Sequence, residues 1–421
     1  MKKIFSTALL GLVVCAVYPV RAQDVVISGY LSRLLAEHPS MRSKQFDAVS
    51  SDRLVTSAWM QFLPTPSLSV DKGPVSTTGH DRATTYRISQ PVWMGGRLTA
   101  GLDSARLRRE LSSVELQDVA QNLSLKFISL YQSWWALDSK IRIQKRDLAR
   151  LESLRDMMVR RVESGVSAEI DLDLASVRVV QQQSDLAQSQ RAYAAILGQI
   201  RELFNEDLPL SSVALSQVPR VSMSYEVLLP RVLDLSPSLR KAQISERLAL
   251  VEIDQVKADA SPQLSIRAER QRGDYLGSLA ETKSGDSRVY ASLQFSLGAA
   301  GAVVPQIMAA SARANAAAES VESVRRDISA QVKTDWEDYF SVIERLPRLQ
   351  RASVSARSVV DSSLRLFTSG RRSWLDLINA VREHSQAELQ LVDAQAALVG
   401  SAFKIHLVSG SFGVDFPSVG N

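Results

Sequence analysis

The chain has 421 residues, with 50 Lys or Arg, 45 Asp or Glu and a formal net charge of +5. The first 22 residues hold three basic and no acidic side chains, so their removal would lower the net charge to +2. Such a balance gives no basic footprint for nucleic acid. The single cysteine, Cys15, lies in this segment, which excludes a disulfide scaffold, a cysteine nucleophile and a cysteine-ligated metal in the rest of the chain.

Residues 1–22 are predicted to be a cleaved signal peptide. Two lysines precede a short apolar run, and Ala22 suits a cleavage site before the next residue. The alternatives are an uncleaved membrane helix, disfavoured by the short run and by Pro19 near its end, and a lipoprotein anchored at Cys15, disfavoured by the large Val14 before it. No later stretch of about 20 apolar residues predicts a spanning helix.

The remaining chain repeats itself. His38–Arg42 (HPSMR) returns as Ser236–Arg240 (SPSLR) at an offset of 198, and two later Gly and Asp positions return at an offset of 205. A period of about 200 residues is too long for a solenoid and indicates a duplicated domain. The predicted units are residues 23–210 and 211–408, followed by a loose C-terminal tail, 409–421.

Each unit begins with a helical stretch, over residues 25–60 and 225–258, and continues with two strands. The predicted β-hairpins cover residues 62–93 and 262–297. Their strands alternate apolar and polar side chains with a period of two. A length of about ten residues suits a tilted membrane-spanning strand.

Each unit ends in a predicted coiled-coil hairpin, over residues 97–205 and 302–407. Residues 97–163 contain no proline and place apolar side chains at steps of three and four, as in a coiled-coil seam. These 67 residues would extend about 100 Å as one helix. The predicted turns are Ser164-Gly165 and Ser369-Gly370.

Four amphipathic strands cannot close a membrane barrel, because the smallest barrels have about eight. An open sheet edge in lipid would leave unpaired backbone groups at several kcal/mol each. We therefore expect two, three or four copies to pool their strands, with the polar helices continuing the cylinder in the periplasm. The alternative for the strands is a soluble β-subdomain attached to coiled coils.

The layout resembles the TolC family of outer-membrane channel-tunnels over essentially the whole mature chain. The matching pieces, in order, are LLAEHPSMR (34–42), FLPTPSLSV (62–70), QPVWMGGR (90–97), SGVSAEIDL (164–172) and SGRRSWLDL (369–377). The resemblance implies a mainly α fold with a transmembrane β-barrel, in which a homotrimer builds a 12-strand barrel and a 12-helix tunnel. It further implies a passive exit duct in the outer-membrane lipid, served by a periplasmic adaptor and an ABC or RND inner-membrane pump.

The resemblance also assigns residues. Six residues at the hairpin turns would dock the adaptor: Gly165, Val166, Ser167, Gly370, Arg371 and Arg372. Asp376 would narrow the pore, Asn379 stands where the family has a second acid, and Asp171 would make an inter-helix contact; both aspartates could instead cap their helices. Trp59 and Trp93 are expected in an interfacial aromatic girdle.

The variant with Trp93 before MGGR, together with GVSAE at 165–169, is most similar to the branch that serves type I secretion of large adhesins. Small-molecule and drug efflux remains the alternative. No catalytic constellation is evident, and the four histidines lack metal-ligand spacing, so we expect neither an enzyme nor a cofactor. A periplasmic adaptor would carry one hairpin rather than two, and a purely structural coiled coil would lack the alternating strands.

Overall fold

The computed structural model describes residues 25–76, 79–273, 287–295 and 300–412, so the predicted signal peptide and the tail beyond residue 412 lie outside the described residues. The first half of the chain contains α1 (Val25–Glu37), α2 (Pro39–Met60), β1 (Thr65–Lys72), β2 (Arg82–Trp93), α3 (Arg97–Glu163) and α4 (Glu169–Phe204). The second half contains α5 (Tyr225–Leu235), α6 (Pro237–Asp259), β3 (Gln263–Arg272), β4 (Ser287–Gln294), α7 (Ala300–Thr368) and α8 (Trp374–Val408).

The first helical stretch of each half differs from the prediction, because each is divided into two helices. The division falls at His38 and at Ser236, both with extended backbone and both followed by proline at the first helical position. Proline lacks the N–H that would continue the preceding helix, so it begins a new one. The His38 imidazole accepts from the Ser40 N–H at 3.1 Å, and the Ser236 hydroxyl accepts from the Leu239 N–H at 3.3 Å.

The strands and helices form one continuous layer. The sheet is antiparallel with strand order β1-β2-β3-β4, and the helices joined to these strands lie in the same order, α2-α3-α6-α7, because α3 contacts α2 and α6, and α6 contacts α7. Further along, α3 contacts α4 and α8, and α8 contacts α7. The part of the layer nearest the hairpin turns therefore has the helix order α4-α3-α8-α7.

A central core holds the two halves of the chain together where the layer meets the linker between them, residues 205–224. Phe127, Tyr131, Tyr339 and Leu228 are fully buried in it. The linker is fastened to α3 by the Tyr131 hydroxyl, which donates to the Ser211 carbonyl at 2.7 Å and accepts from the Val213 N–H at 3.0 Å. From α7, the Tyr339 hydroxyl accepts from the Val221 N–H at 2.9 Å. Burial raises the pKa of Tyr131 to about 12.

A second core, at the far end of the long hairpins, is built from Met158, Val179, Phe367, Leu377 and neighbouring side chains of α3, α4, α7 and α8. Helix α8 runs through both cores. One 18-residue window of α8 has a mean hydropathy of 1.3, long and apolar enough for a membrane span, but half of that window is buried inside the protein. Its apolar composition is therefore explained by packing against α3 and α7.

A polar layer lies between these two cores. His384 of α8 and Asp147 of α3 are each 2% exposed, and the His384 ring lies 3.7 Å from the Glu388 carboxylate. Glu388 also pairs with Arg146. Burial lowers the pKa of His384 by more than the nearby carboxylates of Glu388 and Asp147 raise it. The imidazole is therefore neutral at pH 7.

Candidate functional site

The register of the sheet gives it one apolar and one polar face. Leu68 lies opposite Tyr86, and Ile88 lies opposite Ala268, which in turn lies opposite Val289. Opposite residues in an antiparallel pair share a face. Most large apolar side chains on this face are exposed: Leu68 is 61%, Val289 74% and Leu293 67% accessible. Such a surface indicates contact with lipid or with another chain.

The polar face is organised around Glu269 of β3, which is 5% exposed. Its carboxylate accepts from the Arg288 guanidinium at 2.8 Å and from the Tyr290 hydroxyl at 2.8 Å, and it also pairs with Arg87. Arg87 and Arg288 come from the strands on either side, at positions directly opposite Glu269. One carboxylate therefore joins three strands, which fixes their register on the polar face.

Both tryptophans predicted for an aromatic girdle are about half-exposed. Trp59 is near the end of α2 and 53% accessible, and Trp93 ends β2 and is 50% accessible. Trp93 pairs with Leu264 after a register shift beyond Pro91. Trp93 therefore lies at the helical end of the sheet, in the same row as Leu264, and Trp59 lies in the last turn of the helix that leads into β1.

The two hairpin turns have the same geometry. In the first, the Gly165 N–H donates to the Val162 carbonyl at 2.9 Å and the Val166 N–H to the Arg161 carbonyl at 2.8 Å. In the second, Gly370 and Arg371 repeat both bonds, at 3.0 and 2.8 Å. This pattern is the Schellman motif, whose central residue is left-handed and favours glycine. The φ angles are +71° at Gly165 and +73° at Gly370.

The predicted pore residue Asp376 lies in the first turn of α8. Ser373 caps the helix, because its hydroxyl accepts from the Asp376 N–H at 3.1 Å. The Asp376 carboxylate is half-exposed and lies 4.0 Å from the Arg372 guanidinium, a weak ion pair. Asn379 follows one turn later and is partly exposed. Neither aspartate is the N-cap residue, so that alternative is not what the structure shows.

Asp171 occupies the corresponding position in α4, as its third residue after Ala168. It is partly buried, and its N–H donates to the Ala168 carbonyl at 3.1 Å. Within the described part of the chain, its carboxylate has no ion pair. Among the docking candidates, Val166 is 62% exposed, and Gly165, Gly370 and Arg371 are also exposed. The Ser167 hydroxyl accepts from Arg161 at 3.1 Å.

The two turns are joined by contacts that the sequence did not reveal. The Arg161 guanidinium, at the end of α3, lies 4.8 Å from the Phe367 ring centre at the end of α7. Phe367 packs on Trp374, the first residue of α8, with ring centres 5.4 Å apart. The geometry is that of a cation–π contact extended by an aromatic pair. It couples the end of one repeat to the end of the other.

A groove of about 220 Å³ opens beside this end of the molecule, between α4 and α8 and over α3. Leu151, Ile378 and Val381 supply apolar lining, and Arg178, Gln182 and Ser385 supply polar lining. At 100° per residue, Ser385 lies on the side of α8 opposite Asp376. The groove and the Asp376 carboxylate therefore belong to opposite surfaces of the helical layer.

A strand layer with an exposed apolar face, continued by a layer of very long helices, is the arrangement expected of a membrane channel protomer. The family model for outer membrane efflux proteins matches residues 30–206 and 228–411, which is most of the chain. The chain belongs to this family and is a protein of the outer membrane.

Three solved structures illustrate the likeness in fold. The outer-membrane channel OprN is 19% identical with a TM-score of 0.78, covering 92% of this chain and 91% of its own. CusC, a transmembrane channel, is 16% identical with a TM-score of 0.79 and 91% coverage of both chains. The outer membrane protein VceC from Vibrio cholerae is 14% identical with a TM-score of 0.79, covering 92% and 96%. No curated protein matches the chain.

Proposed function

We propose that three copies of this chain form an exit duct, with a 12-strand barrel in the outer membrane and a 12-helix tunnel in the periplasm. The observation that carries the proposal is that the layer has two free edges on matching sides. Among the described residues, β1 and β4 each have one edge without a strand partner. The long helices α2 and α4 on one side, and α7 on the other, have no further helix of the layer beyond them there.

The edge helices expose apolar side chains that water would disfavour. Phe46 of α2 and Val180 of α4 are 74% and 63% accessible, and Met308 and Val354 of α7 are 67% and 66% accessible. Joining α7 of one copy to α2 and α4 of the next would bury these groups. The same step would pair β4 with β1, which removes the open edge that lipid does not tolerate.

In this assembly the apolar sheet face points to lipid and the polar face, with Glu269, points to the lumen. Trp59 and Trp93 would then lie at the periplasmic boundary of the bilayer, as an aromatic girdle. At the far end, Asp376 and Asn379 would face the lumen from α8. Three copies of Asp376 would form an acidic ring, which favours cations at the periplasmic entrance.

We assign the adaptor contact to the outer surface of the tunnel. The groove over α3 faces away from Asp376, so a periplasmic hairpin can reach it while the pore stays clear. At the adjacent hairpin turns lie Gly165, Val166 and Ser167, with Gly370, Arg371 and Arg372 in the second turn, and we assign Asp171 to the contact between the hairpins. An inner-membrane pump of the ABC or RND type would act through this adaptor.

For cargo, type I secretion of a large protein is slightly favoured over efflux, on the resemblance of MGGR after Trp93 and of GVSAE at 165–169. The family description, an efflux protein, favours small-molecule export as the second candidate. A strain lacking the chain distinguishes them. Loss of one surface protein with unchanged drug tolerance supports secretion, and the reverse result supports efflux.

The assembly is tested by native mass spectrometry of the complex extracted in detergent from outer membranes. A mass of three mature chains is expected. A monomer or dimer recovered from periplasmic extract would refute the barrel.

The groove is tested with Ser385→Trp, which fills it, against Ser385→Ala, which leaves it open. Loss of adaptor capture is expected only for the tryptophan variant, with the trimer retained.

A further inference from the structure

We propose that the outward face of the sheet carries a binding site for phosphate-bearing lipid head groups of the outer leaflet. Four basic residues at the loop end of the strands form it: Lys72, Arg82, Arg270 and Arg272. The inference rests on the proposed barrel, because only there does this face meet lipid. It adds to that function a specific contact between the channel and anionic lipid.

The register brings these four side chains together on one face. Lys72 of β1 lies directly opposite Arg82 of β2, and Thr84, two residues further along β2, lies opposite Arg272 of β3. Arg82 and Arg272 are therefore diagonal neighbours, and Arg270 follows two residues from Arg272. Opposite residues are separated by about 5 Å and diagonal ones by about 7–8 Å. The cluster is thus continuous across three strands.

All four side chains belong to the apolar face and not to the polar one. Arg270 lies opposite Tyr86, and Tyr86 lies opposite Leu68. The next residue along β3 toward the helices on this face is Ala268, in register with Ile88 and Val289. The basic cluster therefore borders the exposed apolar surface at its loop end. At the helical end the same surface finishes with Trp93 and Leu264 rather than with charge.

Among the described residues, the positive charge of the cluster is only partly compensated. The Asp81 carboxylate lies 3.8 Å from both Lys72 and Arg82, so it serves two cations at once. Arg270 and Arg272 are exposed, and neither has an ion pair within the part of the chain that the structure describes. Like charges at this spacing repel one another. A bound anion would remove that repulsion.

The location of the basic cluster indicates which kind of anion it binds. Loops join the strands at this end and the long helices lie at the other, so helices in the periplasm place the cluster at the outer surface of the membrane. Arginine side chains there can reach past the apolar rows to the head-group region. Guanidinium groups bind phosphate through paired N–H donors. A lipid with phosphate on its head group would cover the apolar surface with its acyl chains and neutralise the basic cluster with its phosphate.

The test compares two variants of β3 that remove charge from opposite faces. Arg270→Gln with Arg272→Gln empties the cluster, and Arg267→Gln removes an arginine of the same strand whose side chain belongs to the polar face, opposite Ser89 and Tyr290. The full-length trimer in neutral detergent is titrated with bisphosphorylated lipid A and, separately, with inorganic phosphate. Native mass spectrometry reports both the lipid bound and the trimer.

We expect lipid A to bind the natural trimer. Loss of each charge near the head group should weaken lipid A binding about fivefold, hence about 25-fold for the double variant. The affinity of the Arg267→Gln variant should stay within about twofold of that of the natural chain. Equal weakening by Arg267→Gln, or full displacement by inorganic phosphate at the lipid's concentration, would overturn the lipid site. Absence of a natural trimer would instead refute the barrel. If the double variant does not assemble, Lys72→Gln with Arg82→Gln provides the same comparison.

Discussion

Replacing the two turn glycines tests how the hairpin tips are held. Gly165 and Gly370 have φ angles of +71° and +73°, and a Cβ atom at either would meet nothing within 4 Å. The cost of alanine is therefore the backbone cost alone, about 1–2 kcal/mol per residue for a left-handed conformation. Asparagine, which tolerates this conformation better, should cost less than alanine.

The cost should appear locally. The two bonds that close each turn, from Gly165 and Val166 or from Gly370 and Arg371, break when the turn opens. A penalty of 1–2 kcal/mol corresponds to about 5- to 30-fold faster amide hydrogen exchange at these positions. The trimer should remain intact, since no core residue is touched. A bulky residue at either glycine should abolish export, because these turns lie in the proposed adaptor surface.

Gly198 provides the control, because it lies inside α4 with open space around it and a helical backbone. Gly198→Ala should stabilise α4 by up to about 1 kcal/mol. Exchange at the turns that is unchanged in Gly165→Ala and Gly370→Ala, or equally fast in Gly198→Ala, would refute the reasoning. Normal export in the bulky variants would remove the docking assignment.

Three further predictions concern single side chains. Tyr131→Phe leaves the buried Val213 N–H and the Ser211 carbonyl unpaired, so the free energy of unfolding should fall by about 1–3 kcal/mol in a thermal unfolding assay. Tyr193→Phe removes one partly buried hydrogen bond and should cost less in the same assay. Burial lowers the pKa of His384 below its usual value of 6.5. The contribution of the neutral imidazole to the free energy of unfolding should therefore be complete above pH 6.5 and decline as the pH falls below it. A His384→Gln variant whose stability shows the same pH dependence would contradict this. Asp376→Ala should reduce cation selectivity in planar bilayers, while Asp173→Ala, an exposed aspartate on α4, should not.

Much of the fold follows from local pattern. The period-two alternation at residues 62–71 predicts a strand, and Gly165 predicts a helix end, because each signal depends only on neighbouring residues. The apolar spacing does not predict the division of the first helix at His38, because it continues across that residue; only Pro39 marks the division. The first strand also begins at Thr65 rather than at residue 62.

The candidate sites depend on pairing that one sequence cannot supply. Alternation shows that Arg267 and Glu269 share a face, but only the register places Glu269 between Arg87 and Arg288. The basic cluster is hidden for the same reason, since Lys72 and Arg270 are far apart in sequence. The Arg161–Phe367 contact likewise joins two repeats, whose relative position is set by packing of α3 against α8.

The duplication also predicts how the edges of two copies meet. Within the chain, α3 and α6 are joined by an ion pair at 2.7 Å between Glu110 and Arg247. The repeat offsets of 205 and 198 place Asn315 of α7 and Val49 of α2 at the corresponding positions, and both are exposed. If α7 packs on the next copy's α2 as α3 packs on α6, these residues face each other and the junction between copies lacks this ion pair. Cysteines at positions 49 and 315 should then be joined only between copies by a bifunctional thiol reagent of about the span of a Glu–Arg pair, which is longer than a direct disulfide. Absence of this cross-link in the trimer would show that the two junctions differ.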